Sequence, residues 1–290
     1  MNDMIMIRRD GMYIKANVAW EDPYVNRAID DYCATNQFFQ FACSAIANWD
    51  SIPLVENPVI LSIPYPQNYF HYTFEAAPKS RFFQDPAVTK ALITKGNLKT
   101  LFQRNLIYHT LGNRELIVPH HDVIRIRDPR LSNDVLSENN VHWLREATHF
   151  PVASGPKRVY LRRTARGTRT ADGGGISETI EFLSFLREYH FEIYDFGDRE
   201  MEVNEQVMML NNASVILAPH GAALTNLAYL NGPLTVIEII GHTTPGPVFL
   251  HLANMLEFEY YGLFSHDLDE NQNIVVDMDE LHTAMRQCLG

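Results

Sequence analysis

The second half of the chain alternates short apolar runs with segments whose apolar residues recur at helical spacing. The apolar runs predict strands at 158–161, 191–194, 214–217, 234–240 and 258–263. Helices are predicted at 203–210, 222–230, 247–256 and 279–288, and a further helix begins at Ser177, which can act as its N-cap. Strands that are apolar on both faces and separated by helices predict a parallel sheet covered on both sides, as in a Rossmann-like α/β lobe.

The first half is less regular, but it also alternates strand and helix patterns. Strands are predicted at 59–63, 115–118 and 123–126, and helices at 68–77, 87–93 and 98–111, the first of them ended by Pro78. Pro151, Gly155 and Pro156 cluster between the two halves, where a domain boundary is expected. We therefore predict an α/β protein with an N-terminal lobe at 1–152 and a C-terminal lobe at 153–290, whose last helix can pack back on the first lobe.

Composition identifies an ordinary folded protein, since 46% of the 290 residues are hydrophobic and 20% are charged. The formal charge of −11 is unevenly distributed: residues 200–285 contain twelve acids and no Lys or Arg, whereas residues 157–169 contain six basic residues and no acid. General nucleic-acid binding needs a broad positive face, which this pattern argues against. One dense basic segment suits a single small anion instead.

Targeting and redox signals are weak. The apolar run at 4–7 is too short for a signal peptide or a membrane anchor, and Cys33, Cys43 and Cys288 form neither a CxxC pair nor an even disulfide set. We expect a soluble cytoplasmic protein without a membrane anchor. The sequence does not indicate its oligomeric state.

The strongest candidate site is the turn APHGAALTN at 218–226, between a predicted apolar strand and a short helix. Open α/β folds bind ligands at the carboxyl ends of parallel strands, and the N–H groups at a helix start favour a phosphate. Gly221 and the small residues after it allow a ligand to approach the backbone closely. The alternative is a tight turn in which Gly221 only satisfies a positive φ.

Several charged side chains are candidates for the same site. Arg162 and Arg163 end a predicted strand, so one should turn toward the carboxyl edge of the sheet and the other away, and Arg158 lies earlier on that strand. Arginine forks match phosphate oxygens. Glu238 is the only Asp, Glu, Lys or Arg in 207–255. It can accept hydrogen bonds from a ribose diol, or from backbone N–H groups or an arginine.

The first half contains a candidate base. If residues 70–77 are helical, His71 and Glu75 lie one turn apart on one face and can share a hydrogen bond. Such a pair can serve as a general base with an orienting partner, or it can be an ordinary surface pair.

Metal-ligand types occur in two further places. His120, His121 and Asp122 are adjacent, but neighbours on a strand point to opposite faces, so a metal would need other ligands. The strings at 267–269 and 277–279 resemble the D-x-D metal-nucleotide motif. Solvated acids and a helix cap explain these two strings better.

Three segments together resemble the glycosyltransferase 61 family. Residues 218–239 (APHGAALTNLAYLNGPLTVIEI) resemble its HGAxLTN turn and the VIE strand that follows. Residues 159–169 (VYLRRTARGTR) resemble its Tyr-x-x-Arg strand and basic loop, and residues 68–78 resemble its N-Y-x-H-x-x-x-(D/E)-x-x-P segment. The resemblance spans most of the chain and is strongest in the second lobe.

The resemblance implies a GT-B fold with two facing Rossmann-like lobes, parallel sheets and an interlobe cleft. It implies an inverting transferase with a UDP-sugar donor, xylose ahead of N-acetylglucosamine or another sugar, a glycan acceptor, no cofactor and no essential metal. Carried onto this chain, the donor contacts would come from Arg163, His220, Gly221, Ala222, Ala223, Leu224, Thr225 and, at the ribose or nearby, Glu238. Glu75 would be the base with His71 beside it, and Asn68 and Tyr69 would lie on the acceptor side.

Two features depart from the family pattern. Many eukaryotic relatives carry an N-terminal anchor, so we expect a bacterial or virus-encoded soluble form, and Glu75 stands where many relatives have the shorter Asp. Two other functions stay open. One is a sugar-nucleotide-binding module without catalysis, and the other is a metal-dependent hydrolase built on His120, His121 and Asp122.

Overall fold

The computed structural model of the 290-residue chain describes residues 4–8, 13–15, 49–63, 65–120, 123–130, 136–151, 153, 155–163, 175–197, 200–241 and 246–289. The chain divides into two units, Met1–Trp143 and Leu144–Gly290.

The first unit contains two small sheets within its described residues. Its strands are β1 (Met4–Arg8), β2 (Tyr13–Lys15), β3 (Leu54–Glu56), β4 (Pro58–Ile60), β5 (Lys90–Leu92), β6 (Glu115–Ile117) and β7 (Val123–Arg127). One sheet has the order β2-β1-β7-β3, in which β1 is antiparallel to β2 and β7, and β3 is parallel to β7. The other, β4-β5-β6, is wholly parallel. Ile60 and Leu92 pack with Ile124 and Ile126, so the two sheets share a core.

The helices of this unit include one segment that changes its hydrogen-bond pattern twice. It begins as α1 (Tyr69–His71), continues as a π-helix (Tyr72–Ala76) and ends as a 3₁₀ helix (Ala77–Gln84). The other helices are the 3₁₀ turns Trp49–Ser51 and Lys95–Leu98 and α2 (Leu101–Leu111), and α3 (Glu138–Thr148) begins in this unit and ends in the second.

Two predictions for the first half are wrong. The helix at 68–77 does not end at Pro78, because Pro78 lies in the first turn of the 3₁₀ helix, where its missing N–H costs no hydrogen bond. The segment 87–93 is not helical but contains β5, which lies between two parallel strands with Ala91 and Leu92 buried. A short apolar run buried on both faces has no period that separates a strand from a helix.

The second unit is built on one parallel sheet. Its elements are β8 (Lys157–Arg162), α4 (Ile180–Glu188), β9 (Phe191–Asp195), α5 (Val203–Leu210), β10 (Ala213–Pro219), a 3₁₀ helix (Ala222–Tyr229), β11 (Thr235–Gly241), α6 (Val248–Met255), β12 (Glu259–Ser265) and α7 (Met278–Leu289). The sheet order is β12-β11-β10-β8-β9, and every pair is parallel. The parallel sheet predicted for this half is confirmed.

Both faces of this sheet are covered. All seven residues of β11 are buried, and β10 is buried apart from one position. On one face, Leu217 and Ile237 pack in a core with Phe182 of α4 and Leu281 of α7. The helix predicted to begin at Ser177 begins later, because the Thr179 hydroxyl caps it by accepting from Phe182 N at 3.1 Å. No helix in the described part of the chain is long and apolar enough to span a membrane.

Candidate functional site

In the parallel sheet of the second unit, the order in which strands are added reverses between β8 and β10. Counted along the chain, its five strands have the spatial order second, first, third, fourth, fifth, so the first and third strands are neighbours whose connections leave toward opposite edges. Open α/β sheets bind ligands outside the carboxyl ends of the strands at such a switch point. Here those ends carry Arg162 and Arg163 on one strand and Pro219 and His220 on the other.

Arg163 bridges the switch point. Its Nη1 donates to the carbonyl oxygen of His220 at 2.7 Å. The guanidinium also lies beside Gly221, since a Cβ built there would be 3.6 Å from Nη1 and 3.9 Å from Cζ. A fork-shaped cation is thus held against the backbone of the predicted anion-binding turn.

The backbone of Gly221 does not require glycine. Its φ of 169° is extended and accessible to any residue, so the alternative of a turn that needs positive φ is wrong. Gly221 precedes the 3₁₀ helix Ala222–Tyr229, and Leu224 N already donates to the Gly221 carbonyl at 3.0 Å. The first N–H groups of a helix have no intrahelical partner, so Ala222 and Ala223 can offer theirs to an anion.

Leu224 and Thr225 are fully buried, so their side chains lie within the protein. The Thr225 hydroxyl has no hydrogen-bond partner among the described residues. Asn226 Nδ2 donates to Gln206 Oε1 and to the Ala223 carbonyl, both at 3.1 Å, which fixes the helix against α5. These buried side chains support the turn from the interior of the protein.

The two neighbouring arginines turn apart, as the strand alternation predicts. Arg162 makes a bidentate pair with Glu178, Nε to Oε1 at 2.6 Å and Nη2 to Oε2 at 2.8 Å. These hydrogen bonds to the Glu178 carboxylate raise the pKa of Arg162. The structure does not bring Arg158 to the turn, because its Nη1 donates to the Tyr189 carbonyl at 2.7 Å. Of Arg158, Arg162 and Arg163, the structure therefore brings Arg163 to Gly221.

Glu238 is 1% exposed, and both of its carboxylate oxygens are engaged by side chains. Oε1 lies 2.5 Å from His220 Nδ1, and Oε2 accepts from Tyr260 OH at 2.5 Å. Burial, and then the charge of Glu238, raise the pKa of Tyr260, which keeps its phenol protonated. Among the described residues, no backbone N–H group and no arginine donates to this acid, although the sequence left both open as partners.

In the first unit, the predicted hydrogen bond between His71 Nδ1 and Glu75 Oε1 is present. Their side chains are 26% and 21% exposed, so a ligand can reach the pair. Glu75 lies in the π-helix, whose other four residues are buried. Short π segments in helices are frequent at functional sites.

The two acceptor-side candidates have structural roles. Asn68 caps the helix by accepting from Phe70 N at 2.9 Å, and Tyr69 is buried with its ring 5.2 Å from that of Phe102. The exposed aromatic group beside the pair is Tyr65, whose ring centroid is 5.8 Å from that of His71. Sequence reasoning missed Tyr65 because it precedes the helix, and the motif starts after it.

The metal candidates find little support in the described part of the chain. His120 is exposed, and His121 and Asp122 lie outside the described residues. Within the described ranges, no group of three His, Cys, Asp or Glu residues could hold a metal ion. Asp277 Oδ1 accepts from the N–H groups of Asp279 and Glu280, at 2.9 and 3.0 Å, so it caps α7 as expected.

Comparison with known proteins adds one finding. The family model described as Glycosyltransferase 61 matches residues 38–237, which include α1, the π-helix, β8 and the turn after β10. No curated protein matches the chain.

Proposed function

The chain belongs to the glycosyltransferase 61 family, and from this premise we propose that it moves a sugar from a UDP-sugar to a hydroxyl group of a glycan acceptor with inversion. The observation that carries the proposal is Arg163 against the turn at 220–223, at the switch point of a parallel sheet. A GT-B fold is part of the proposal, and the parallel sheet of the second unit supports it.

The donor diphosphate would lie at this turn. Arg163 offers a charged N–H fork, and the start of the 3₁₀ helix offers backbone N–H groups that need no rearrangement as charge develops. Both kinds of donor stabilise the UDP leaving group, whose negative charge grows as the bond to the sugar breaks. This supply of positive charge from the chain itself is why we propose that no divalent metal is essential.

Glu75 would act as the general base. Its carboxylate takes the proton of the acceptor hydroxyl, the acceptor oxygen forms a bond to the anomeric carbon, and the bond from that carbon to the diphosphate oxygen breaks. The electron pair leaves with UDP, and this single displacement inverts the anomeric centre. His71 holds the carboxylate through its ring nitrogen, which fixes the direction of the remaining lone pairs.

The test is UDP release in the presence of candidate acceptors, with UDP-xylose tried first and UDP-N-acetylglucosamine second, each with and without EDTA. Glu75→Gln keeps the shape of the side chain and removes the base, so we expect kcat to fall about 10²–10⁴-fold with UDP affinity unchanged. Glu115→Gln, an exposed acid of the same unit, serves as the control and should leave both unchanged. Normal kcat in Glu75→Gln would refute the assignment of the base.

The other two functions give distinct results in the same assays. A binding module without catalysis would show a UDP-dependent rise in Tm but no product with any donor and acceptor pair. A hydrolase that uses His120 would lose its activity in EDTA. Full sugar transfer in EDTA is the result that the proposal expects.

A further inference from the structure

A polar chain centred on the buried Glu238 runs behind the candidate diphosphate site, from Tyr260 on β12 through Glu238 on β11 to His220 after β10. We propose that Glu238 and Tyr260 are positioning residues that fix the imidazole of His220 so that Nε2 faces the donor diphosphate. This assignment replaces a direct contact between Glu238 and the ribose, and it rests on the proposed function of the turn.

The backbone of His220 is held by hydrogen bonds at both its N–H group and its carbonyl group. His220 N donates to the carbonyl of Ile239 at 2.9 Å, and its own carbonyl accepts from Arg163 at 2.7 Å. The ring packs on Phe249, with centroids 5.2 Å apart and planes inclined by 55°. Only the rotation of the ring is left to be set, and the contact of Nδ1 with Glu238 sets it.

Among the described residues, the carboxylate of Glu238 has two side-chain hydrogen-bond partners, His220 and Tyr260. It is 1% exposed, one oxygen faces His220 and the other accepts from Tyr260. An ionised acid in a buried strand is costly unless strong hydrogen bonds compensate for its lost hydration. Because Tyr260 and His220 both supply such bonds, Glu238 is tied to the ring and not to the solvent.

The side chain of His220 is 16% exposed. With Nδ1 committed to Glu238, Nε2 has no hydrogen-bond partner among the described residues and can contact a ligand. When both nitrogens carry protons, Nε2–H donates to a phosphate oxygen, and Glu238 provides the counter-charge on the opposite side of the ring. His220 then adds one charged donor to those of Arg163 and the helix start.

Gly262 makes room for Tyr260 in this chain. In the register of β11 and β12, Gly262 lies directly opposite Glu238, two residues after Tyr260 on the same face. A Cβ at Gly262 would be 3.2 Å from Tyr260 Cε1 and 3.5 Å from its hydroxyl oxygen. The missing side chain therefore leaves the space across which the tyrosine ring reaches Glu238.

The experiment measures UDP affinity by calorimetry together with the ¹⁵N shifts of the His220 ring in the ligand-free protein. The ring signals are assigned from their absence in His220→Gln. Variants are Glu238→Gln, which keeps side-chain size, and Tyr260→Phe, which removes one hydroxyl. The control is Tyr261→Phe, which removes a hydroxyl from the next residue of β12, on the other face of the strand.

We expect UDP affinity to fall about tenfold in Glu238→Gln and on the order of threefold in Tyr260→Phe, with no change in Tyr261→Phe. The Nδ1 resonance of His220 should shift in the first two variants and not in the control. A purely structural role for Glu238 would lower Tm but leave these ring signals in place.

Two outcomes overturn the inference and are distinguishable from each other. If His220→Gln weakens UDP binding while Glu238→Gln and Tyr260→Phe bind UDP as the unmodified protein does, the donor site stands and the positioning role is wrong. If His220→Gln itself binds UDP normally, the diphosphate does not contact this ring, and the proposed donor site fails together with the inference. If Glu238→Gln does not fold, Tyr260→Phe decides by the same two measurements.

Discussion

The replacement of Gly221 by alanine separates a structural glycine from a ligand-binding one. The extended φ of 169° is open to alanine, and the nearest atoms to the added Cβ are those of Arg163, at 3.6, 3.7 and 3.9 Å. These are ordinary van der Waals distances, so the fold should accept the methyl group. Alanine also restricts the unfolded chain, which favours folding by about 0.4–1 kcal/mol. We expect the free energy of unfolding to be unchanged or slightly higher.

Binding should respond in the opposite direction. A phosphate oxygen that accepts from Arg163 Nη1 must come within about 2.8 Å of that atom. The methyl group would lie 3.6 Å from the same atom, on the side where the turn and the guanidinium face each other. Loss of one hydrogen bond to a charged group costs about 1.5–3 kcal/mol, which corresponds to a roughly 10- to 150-fold rise in Kd for UDP.

The assay is calorimetric titration with UDP alongside urea unfolding. Gly96→Ala is the matched control, since its added Cβ has no atom within 4 Å and the residue lies in the first unit. Unaltered UDP affinity in Gly221→Ala would show that the diphosphate binds elsewhere. A large drop in the urea midpoint would show that the turn itself needs glycine, which would refute the reasoning from φ.

Three further predictions concern other parts of the chain. Burial, followed by the charge of Glu259, raises the pKa of Cys288 to about 11, so its alkylation by iodoacetamide should be slow at pH 8 and quicken toward pH 11, and Glu259→Gln should speed it. This folded-state pKa exceeds the usual thiol value. The stability that the protonated thiol contributes is therefore lost as the pH rises through the folded-state pKa of about 11, and urea midpoints would report the loss. Tyr65→Ala should raise KM for the acceptor while UDP affinity stays constant, since 49% of this residue is exposed beside the candidate base pair; an unchanged KM would remove it from the acceptor site. Glu178→Gln breaks the pair with Arg162, which is partly exposed, so it should cost about 1 kcal/mol or less of stability and leave UDP affinity unchanged, and a tenfold loss of affinity would contradict the separation of the two arginines.

The second half of the fold could be predicted because its central strands are wholly apolar and bounded by turn residues. For residues 214–217 and 234–240, these features favour a buried strand over a helix. Both runs lie in strands of the parallel sheet, β10 and β11. In the first half, β5 is only three residues long and has no alternation. Its identity depends on pairing with strands far away in sequence, which local patterns do not contain.

The candidate site was predictable to a similar degree. Arg163, His220 and Gly221 follow from strand ends and a turn, and the His71–Glu75 hydrogen bond follows from helical spacing. The partners of Glu238 do not, because Tyr260 reaches it only through the cross-strand register and the gap at Gly262. The contribution of Tyr65 depends likewise on how the chain before a helix folds back toward the ring of His71.

The π-helix that carries Glu75 has a consequence for how this segment tolerates insertions and deletions. A π turn takes one more residue than the α turn it replaces, so deletion of one residue within 72–76 would let the segment return to α spacing and leave the following residues on their present face, whereas insertion of a further residue would turn them by about 100°. Such an insertion would carry Lys79 and Ser80, which are now buried, off their present face. This segment should therefore tolerate the loss of one residue better than the gain of one, and substitution can vary the chemistry at position 75 without either change.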